Sequence, residues 1–309
     1  MTRLASLVKH FSVVGGIRAR RFRNVVATNF FRPVVLKSAR EIVTPFTPFM
    51  FSHHYLSFEI DEFGLGWLNP GSHNLLRRVG VSAGDIVYCR DDQLEQFCVE
   101  ILPQIRERFV LLTGTGTPGG LPNNRWVHTI LRSELLLEWF AQNQIHPTLD
   151  IRIFPQGVNL TTAPQVSLFM ELSRFLRKRE GLPLVPFVTV HPHLVSPVRE
   201  IRQELAGLMD KRKGILAYLL QIARSRTVIS PPGDRDDTFR HWECILLGSF
   251  PITNLTGNYK LLFEDNMIYC SDLLTATGQV AVLPKSRPDS KIGTVRYWRK
   301  QVEACRFPR

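Results

Sequence analysis

One segment in the last third of the chain constrains the fold more than any other. It begins with the β-branched run Thr227 to Ile229, which stops at the turn Ser230-Pro231-Pro232-Gly233. A helical pattern then begins at a capping residue, Asp237 or Thr238, and ends at Gly248, before a new apolar run. This order of strand, loop, helix and strand predicts a unit of a parallel α/β sheet.

The start of this predicted helix has the residue types of an anion-binding site. Free backbone N–H groups and the positive end of the helix favour an anionic ligand at such a position. Arg240 and Glu243 lie one turn apart on one face of the helix. Because a guanidinium matches phosphate oxygens and a carboxylate matches sugar hydroxyls, the pair indicates a nucleotide site. A capping Asp237 or Thr238 beside an exposed Arg240–Glu243 ion pair explains the same residues equally well.

The rest of the chain repeats the alternation of strands and helices. In the first half, strands are predicted at Asp85–Cys89, Arg108–Thr113 and Ile151–Phe154, and helices at Asp92–Ile105 and from Ser133 through Phe140. In the second half, helices are predicted from Val166, at Ser196–Leu208 and at Leu216–Ala223, with a strand at Leu184–Val190. The stretches Asn258–Asp265 and Val280–Leu283 are expected to complete a second sheet.

The length of the chain fits this division into two halves. With 309 residues, of which 44% are hydrophobic, the chain can form two cores, each in a domain of about 150 residues. We therefore expect an α/β protein with two Rossmann-like halves that meet between Pro155 and Pro183.

The chain is strongly basic, and its positive charge is concentrated at the two ends. The formal net charge is +12, and the first acidic residue is Glu41. Such ends are suited to nucleic acid, anionic membranes or acidic polymers, although solvated basic tails are the more common explanation. No module that reads nucleic acid is found, and no apolar run reaches the length of a membrane span. Residues 1–40 fit a transit peptide, a basic helix on a membrane or a plain arm equally.

Other clusters of reactive residues favour ordinary structural roles. The five cysteines are scattered without metal-ligand spacing, and no nucleophile elbow is present. The triplet Asp234-Arg235-Asp236 lies in a loop before a helix, so solvation and capping explain it better than a metal. The pairs His53-His54 and His191-Pro192-His193 lack helical ligand spacing, and the glycine-rich turn Thr113–Gly120 does not match a phosphate loop. We predict no metal and no hydrolase site.

Three segments of the chain carry, in the same order, the motifs of one known protein family. The first runs from Gly84-Asp85-Ile86-Val87-Tyr88 through Ile101-Leu102-Pro103 to Phe109–Thr113. The second joins Trp139-Phe140-Ala141-Gln142-Asn143 to His146-Pro147 and Pro155-x-Gly157-Val158-Asn159. The third is Ser-Pro-Pro-Gly…Asp-Thr-x-Arg-x-Trp-Glu…Leu-Gly-x-x-Pro-Ile, at Ser230 to Ile252. Through these segments the chain resembles the exostosin-like glycosyltransferases, which have the GT-B fold, and three collinear matches are more specific than any one of them.

The resemblance implies a GT-B fold, in which two Rossmann-like domains face a cleft. The chain would then contain a basic N-terminal arm (1–43), an acceptor-side domain (44–160), a nucleotide-sugar-binding domain (161–285) and a basic C-terminal tail (286–309). The implied activity is transfer of a sugar from a nucleotide-sugar donor, here taken as UDP-linked, to a hydroxyl of a glycan or other acceptor. No metal or cofactor is implied. Residence in the Golgi or secretory pathway is typical of the family, although no signal anchor is visible in the sequence.

The resemblance also implies roles for individual residues. The donor would be bound by Ser230, Gly233, Thr238, Arg240 and Glu243. Arg240 would meet the diphosphate and, together with the N-terminus of the helix, stabilise the leaving group, while Glu243 would meet the ribose. An acceptor hydroxyl needs a general base if the reaction inverts stereochemistry. Asp92 is the first candidate for this base, with Asp91 and His128 as alternatives.

This chain departs from the family between the turn and the helix cap. Relatives often carry Gly-Asn-Gly-Ile where this chain has Gly233-Asp234-Arg235-Asp236, and His241 and Cys244 stand where Thr and Ala are usual. These differences leave the donor sugar open. The rival hypotheses are a non-catalytic protein that attaches through its basic ends to an acidic polymer or a membrane, and a nucleotide-dependent enzyme of another class.

Overall fold

The computed structural model contains two parallel β-sheets with helices packed against them. It describes residues 32–307 except 78–79, 115–119, 177–186, 189–213, 234, 256–257, 274 and 278–286. The predicted helix Ser196–Leu208, the predicted strand Val280–Leu283, most of Leu184–Val190 and most of the N-terminal arm lie outside the described residues. Among the described residues, no helix combines the length and the apolar character needed to cross a membrane.

The first sheet has six strands, which lie in the order β2-β1-β3-β4-β5-β6, and every pair of neighbours is parallel. An α/β unit with such a sheet is Rossmann-like, as predicted. The strands are β1 (His54–Leu56), β2 (His73–Asn74), β3 (Asp85–Arg90), β4 (Phe109–Gly114), β5 (Leu136–Gln142) and β6 (Arg152–Phe154).

Apolar side chains cover both faces of this sheet. Alternate residues of a strand point to opposite faces, so Tyr88 and Leu112 lie in one core while Val87 and Leu111 lie in the other. The strands therefore read as continuous apolar runs, which is typical of buried parallel sheets. The helices around this sheet are α1 (Arg32–Glu41), α2 (Thr47–Phe51), α3 (Phe58–Glu62), α4 (Leu94–Gln96) and α5 (Arg125–Leu131).

The predicted helix after Ser133 is wrong, because these residues form strand β5. The run Leu135 to Ala141 carries apolar residues at helical spacing, but a strand buried on both faces has the same composition. In the structure Trp139 and Phe140 are fully buried in opposite cores. The helix of this crossover comes earlier, at α5, where the Asn124 side chain accepts hydrogen bonds from the Trp126 and Val127 N–H groups.

The predicted helix from Asp92 to Ile105 is present but irregular. After α4 the chain continues as a π-helical segment, Phe97–Ile101, and ends in a 3₁₀ turn, Leu102–Gln104, that contains Pro103. Phe97 and Ile101 remain buried against the sheet, so the segment keeps the packing role that its apolar pattern predicted.

The second sheet has four parallel strands in the order β10-β9-β8-β7. These strands are β7 (Phe187–Val188), β8 (Thr227–Ile229), β9 (Phe250–Thr253) and β10 (Ile268–Tyr269). The helices beside it are α6 (Ala163–Leu176), α7 (Ile215–Arg224), α8 (Phe239–Leu247) and α9 (Asn258–Phe263). The strand expected within Asn258–Asp265 is wrong: α9 occupies these residues, and its Tyr259 and Phe263 pack into the core beside Trp242.

The ends of the described chain pack against the first sheet. Helix α10 (Val295–Ala304), in the stretch predicted as a basic tail, buries Val295, Trp298 and Val302 in the core that also holds Val35 and Ala39 of α1. The Trp298 ring lies 5.1 Å from that of Phe154 on β6, centroid to centroid. Residues 295–304 are therefore an integral part of the fold and not a free tail.

Candidate functional site

The two sheets meet near the carboxyl ends of their strands. The backbone N–H of Gln156, two residues after β6, donates to Asp237 Oδ2 at 2.6 Å, in the loop that follows β8. Gln156 Oε1 accepts from Asn143 Nδ2 at 2.6 Å and from Arg235 Nη1 at 3.3 Å. We call this region the junction, formed by Gln142, Asn143 and Gln156 on the first sheet and by residues 230–233 and 235–240 on the second. Ligands of open α/β sheets bind at such carboxyl ends.

The loop after β8 is fixed by hydrogen bonds to its own helix. The backbone N–H of Thr238 donates to His241 Nδ1 at 3.4 Å, and His241 Nε2 lies 3.0 Å from the Ser230 carbonyl oxygen. Because Nδ1 accepts, the imidazole proton lies on Nε2, which donates to that carbonyl. Thr238 is the N-cap of α8, and Gly248 ends the helix in the left-handed conformation, so both predicted boundaries are confirmed.

The Asp237 side chain forms hydrogen bonds across the junction and does not cap the helix. The residue is 1% exposed, and Oδ1 accepts from Trp242 Nε1 at 2.7 Å while Oδ2 accepts from Gln156. The two bonds join helix α8 to the end of β6. The neighbouring Gly233, predicted to approach the nucleotide, is buried in the loop, and its N–H donates to the Arg235 carbonyl oxygen.

Arg240 is the second residue of α8, and a buried chain of hydrogen bonds holds it. Its Nε donates to Tyr218 Oη at 3.2 Å, and Tyr218 in turn donates to Glu243 Oε2 at 2.7 Å. Tyr218, on α7, and Glu243 are 9% and 6% exposed, whereas Arg240 is partly exposed. The interpretation as an exposed Arg240–Glu243 ion pair is therefore wrong, since Tyr218 lies between the two residues.

Burial and mutual charge shift the pKa values of this chain of residues. Burial, and next the charge of Glu243, holds the pKa of Tyr218 well above its ordinary value, so the phenol remains a donor. Burial raises the pKa of Glu243 as well, against the opposing effects of the Tyr218 hydrogen bond and Arg240. Burial lowers the pKa of Arg240, but the influence of Tyr218 and Glu243 outweighs it, and the net shift is upward. Arg240 therefore stays charged at the junction.

Glu243 has less freedom than its predicted ribose contact would require. One carboxylate oxygen is occupied by Tyr218, and the residue packs beneath α7. The structure brings Ser230, Thr238 and Arg240 together at the start of α8 but places Glu243 one turn deeper. Its observed contact is with Tyr218, through which it orients Arg240.

Eight buried side-chain oxygens have no hydrogen-bond partner among the described residues, and five of the eight lie at or just after the ends of strands. Unpartnered buried acceptors are uncommon in folded proteins, because each forfeits its hydration without replacement. Ligand hydroxyls or N–H groups, or bound water, satisfy such atoms. The oxygens at strand ends are Ser57 Oγ, Gln142 Oε1, Asn143 Oδ1, Ser230 Oγ and Asn254 Oδ1.

The predicted base, Asp92, lies at the same edge of the first sheet, just after β3. One of its oxygens is 2.8 Å from Arg90 Nε, while Arg90 Nη1 donates to Glu59 at 2.7 Å. The Asp92 side chain is 34% exposed, whereas Asp91 is buried. His128 lies on α5. Strand β4 separates β3 from β5 in the sheet, so Asp92 is set apart from Gln142 and Asn143 along the edge.

The histidine pair His53-His54 lies at the amino ends of the strands of the first sheet, opposite the carboxyl ends that form the junction. His54 Nε2 is 3.0 Å from Asp85 Oδ2, at the start of β3, and His53 Nδ1 is 3.4 Å from Oδ1 of the same carboxylate. The described residues contain no group of three or more side chains suited to hold a metal ion. His191, His193 and Asp234 lie outside the described residues.

Sequence reasoning missed Tyr218, Gln156 and the specific role of Gln142 and Asn143. Tyr218 lies among the apolar residues of a predicted helix, 22 residues from Arg240, so no local sequence signal connects the two residues. Gln142 and Asn143 belong to the second of the three resembling segments, but no role is predicted for either residue there. The Pro155-x-Gly157 turn was the available signal for Gln156. No protein-family model and no curated protein matches the chain.

Proposed function

We propose that this protein is a glycosyltransferase that binds a nucleotide-sugar donor, UDP-linked, at the start of α8 and transfers the sugar to a hydroxyl acceptor. The proposal includes a GT-B arrangement, with the two sheets as the cores of its two domains and the junction between them. It is supported by the resemblance of three segments and by the chemistry at the junction.

The observation that carries the proposal is the way Arg240 is held. Its Nε donates a hydrogen bond to Tyr218, whereas its two terminal nitrogens donate none to any of the described residues. A guanidinium fixed at one nitrogen presents a two-pronged donor face, which matches the oxygens of a diphosphate. The first N–H groups of α8 add positive potential at the same place.

The proposed chemistry follows from this geometry. As the glycosidic bond to the diphosphate breaks, negative charge accumulates on the leaving phosphate oxygen, and Arg240 and the helix start stabilise it. Ser230 Oγ is buried and has no hydrogen-bond partner among the described residues, and in this proposal it supplies a further hydrogen bond to the nucleotide. Asp92 is the proposed base for the acceptor hydroxyl, and Glu243 acts through Tyr218 to orient Arg240.

Isothermal titration calorimetry of the full chain with UDP, GDP and ADP tests the donor site. We expect binding of UDP, and a loss of affinity of about 10- to 100-fold in Arg240→Ala, because a charge-assisted hydrogen bond to phosphate is removed. Arg240→Lys should recover only part of the affinity, since Lys lacks the planar fork. Arg224→Ala, at the exposed end of α7, is the matched control and should bind like the wild type.

Two results would contradict the proposal. One is the absence of binding to all three nucleotides. The other is equal affinity in the wild type and in Arg240→Ala. If binding is found, mass spectrometry of the nucleotide released from a panel of UDP-sugars identifies the donor.

A further inference from the structure

The positive charge of the chain is confined to its two ends. Residues 1–41 and 291–309 contain 15 of the 39 lysines and arginines but only 2 of the 27 acidic residues. Residues 42–290, with 24 basic and 25 acidic residues, are therefore close to neutral. The net charge of +12 comes from two segments that lie far apart in the sequence.

The fold brings the described parts of these two ends together. Helices α1 and α10 contact each other and bury their apolar residues in one core, on the face of the first sheet that holds Tyr88 and Leu112. Beside them, Ile42 forms an antiparallel bridge with Thr294. The outward faces of the two helices therefore lie side by side and form one surface, which we call the basic surface. Its exposed cations are Arg32, Lys37, Arg40, Lys291, Arg296, Arg299 and Lys300.

Acidic residues are rare on the basic surface. Glu41 and Glu303 are the two acidic residues of α1 and α10, against six cations on the same helices. Within the part of the chain that the structure describes, five of the exposed cations form no ion pair: Lys37, Arg40, Lys291, Arg296 and Lys300. Their charge is therefore available to an anionic partner.

Aromatic rings hold two further cations at the surface. The guanidinium carbon of Arg32 lies 5.4 Å from the centroid of the Trp67 ring, and that of Arg299 lies 5.0 Å from the centroid of the Phe51 ring. A cation–π contact orients a guanidinium without neutralising it. These two arginines therefore present positive charge from fixed positions.

Exposed apolar side chains are interspersed with the cations. Val34 is 53% exposed and lies one turn before Lys37, and Tyr297 is 38% exposed and lies one turn before Lys300. At the surface of an anionic membrane, cations meet the headgroups while aliphatic and aromatic side chains enter the headgroup layer. An acidic polysaccharide or a nucleic acid backbone attracts the same cations but offers Val34 no apolar surroundings.

We propose that the basic surface attaches the protein to an anionic lipid bilayer, with α1 and α10 lying along the headgroups. Clusters of about four to eight cations are typical of segments that bind such membranes, because each cation near the surface adds to the attraction. The described surface has seven, and the sequence shortly before α1 adds Arg18, Arg20, Arg21 and Arg23. Membrane attachment goes beyond the proposed function and does not require the donor site.

Co-sedimentation of the full chain with lipid vesicles tests the basic surface. The vesicles contain phosphatidylcholine with or without phosphatidylserine, in about 0.15 M salt, where charges more than about 8 Å apart are largely screened. We expect binding only to the vesicles with phosphatidylserine. The affinity should fall about tenfold or more in a variant that loses four cations of the surface, through Lys37→Gln, Arg40→Gln, Arg296→Gln and Lys300→Gln.

A matched control loses the same number of charges elsewhere. It removes four exposed cations in the loop before β4 and on or beside α5, through Arg106→Gln, Arg108→Gln, Arg125→Gln and Arg132→Gln. Helix α5 packs on the other face of the first sheet, so this variant should bind the vesicles like the wild type. If the four-fold surface variant does not fold, its α1 pair and its α10 pair are measured separately, and each should weaken binding.

Three results would overturn the proposal. One is equal binding to vesicles with and without phosphatidylserine. Another is equal affinity of the wild type and the surface variant, which would mean that cations outside the basic surface are responsible. The third is binding to heparin or RNA without binding to anionic vesicles. Calorimetry with UDP separates these results from the donor site, because the surface variant should bind UDP as the wild type does.

Discussion

The carboxylate of Asp237 accepts a hydrogen bond from the backbone N–H of Gln156 at 2.6 Å, and this bond joins the loop after β8 to the end of β6. The other carboxylate oxygen accepts from the indole N–H of Trp242 in α8. Both donors are neutral. The free-energy cost of burying the Asp237 carboxylate is therefore offset by directed hydrogen bonds more than by a paired cation. Asp237 is thus the residue that positions the start of α8 relative to the first sheet.

We expect Asp237→Asn to lower the free energy of unfolding by about 1–3 kcal/mol. The amide that replaces one carboxylate oxygen would bring its N–H groups against a backbone N–H or the indole N–H. Urea unfolding followed by tryptophan fluorescence measures the change. Asp150→Asn, at an exposed position, is the control and should stay within about 0.5 kcal/mol of the wild type. Equal midpoints for the two variants would show that the Asp237 link contributes little.

Tyr218→Phe removes only the hydroxyl between Arg240 and Glu243. It leaves the buried Glu243 carboxylate without this donor, so we expect a loss of about 1–3 kcal/mol at pH 7. Burial already raises the pKa of Glu243, and the lost hydroxyl had opposed that shift, so the pKa rises further in the variant. A raised carboxyl pKa favours the folded state at low pH and costs stability as pH rises. The deficit should therefore be smallest below about pH 4.5 and should grow above it.

Thermal unfolding of the Tyr218→Phe variant at several pH values measures this dependence. Tyr297→Phe, at an exposed position on α10, is the control. A deficit that is constant from pH 4 to pH 8 would mean that the hydroxyl does not act on the ionisation of Glu243.

The sequence pattern predicted β3, β4 and β6 of the first sheet and β8 and β9 of the second, but it missed β1, β2, β5 and β10. β8, α8 and β9 are bounded by Pro, a cap and Gly248, so their limits could be predicted from local chemistry alone. β5 has no such punctuation: its apolar run fits a helix or a strand buried on both faces, and only its neighbours β4 and β6 decide between them. Local sequence does not contain that information.

The residues of the candidate site also fall into those that local sequence predicts and those that depend on the packing of distant elements. Thr238 and Arg240 belong to one helix start, which a local pattern reveals. Tyr218 and Gln156 reach that helix from 22 and 81 residues away, as counted from Arg240 and Asp237, so their roles depend on how the elements pack. The burial of Glu243 likewise follows from the contact between α7 and α8, not from its spacing to Arg240.

Gly157 allows two backbone segments to approach closely, and we expect Gly157→Ala to destabilise the protein by about 2–5 kcal/mol. Its φ of +70° disfavours a side chain, and an added Cβ would lie 2.0 Å from the carbonyl oxygen of Val43. That carbonyl also accepts the N–H of Val158 at 2.9 Å, so moving it would break a second contact. The free energy of unfolding in urea gives the effect.

The control for this prediction is Gly66→Ala. No atom lies within 4 Å of a Cβ built at Gly66, and its backbone is not in the positive-φ region. This variant should change stability by less than about 1 kcal/mol. A similar small change in Gly157→Ala would mean that the Val43 segment shifts at little cost.

Trp298→Ala tests whether α10 is part of the fold. The indole is 6% exposed, packs on Phe154, and donates from Nε1 to the Ile292 carbonyl oxygen at 2.7 Å. Removal of a buried tryptophan costs about 3–5 kcal/mol, which is expected to lower the urea midpoint sharply. Lys300→Ala, on the exposed face of the same helix, should have a midpoint close to that of the wild type. A small effect of Trp298→Ala would favour the prediction of a basic tail that does not belong to the core.

We expect His53 to lower the stability of the protein in mild acid, and His53→Asn to reduce that effect. Burial lowers the pKa of His53 below 6.5, although the charge of Asp85 opposes the shift. The backbone N–H of Ile86 donates to Nδ1 at 2.8 Å, a bond that protonation of this nitrogen abolishes. A lowered histidine pKa means that the unfolded chain binds the proton more readily. The contribution to stability is therefore complete above pH 6.5 and is lost as pH falls through the lowered pKa.

Asn at position 53 keeps an acceptor near Nδ1 but does not titrate. Urea midpoints of the wild type and His53→Asn should agree at pH 8, where the imidazole is neutral, and the wild type should lose more stability between pH 6.5 and pH 5. Equal losses in both proteins over this interval would mean that other groups cause the acid sensitivity. A difference already present at pH 8 would mean that the asparagine oxygen does not replace Nδ1 as the acceptor for Ile86.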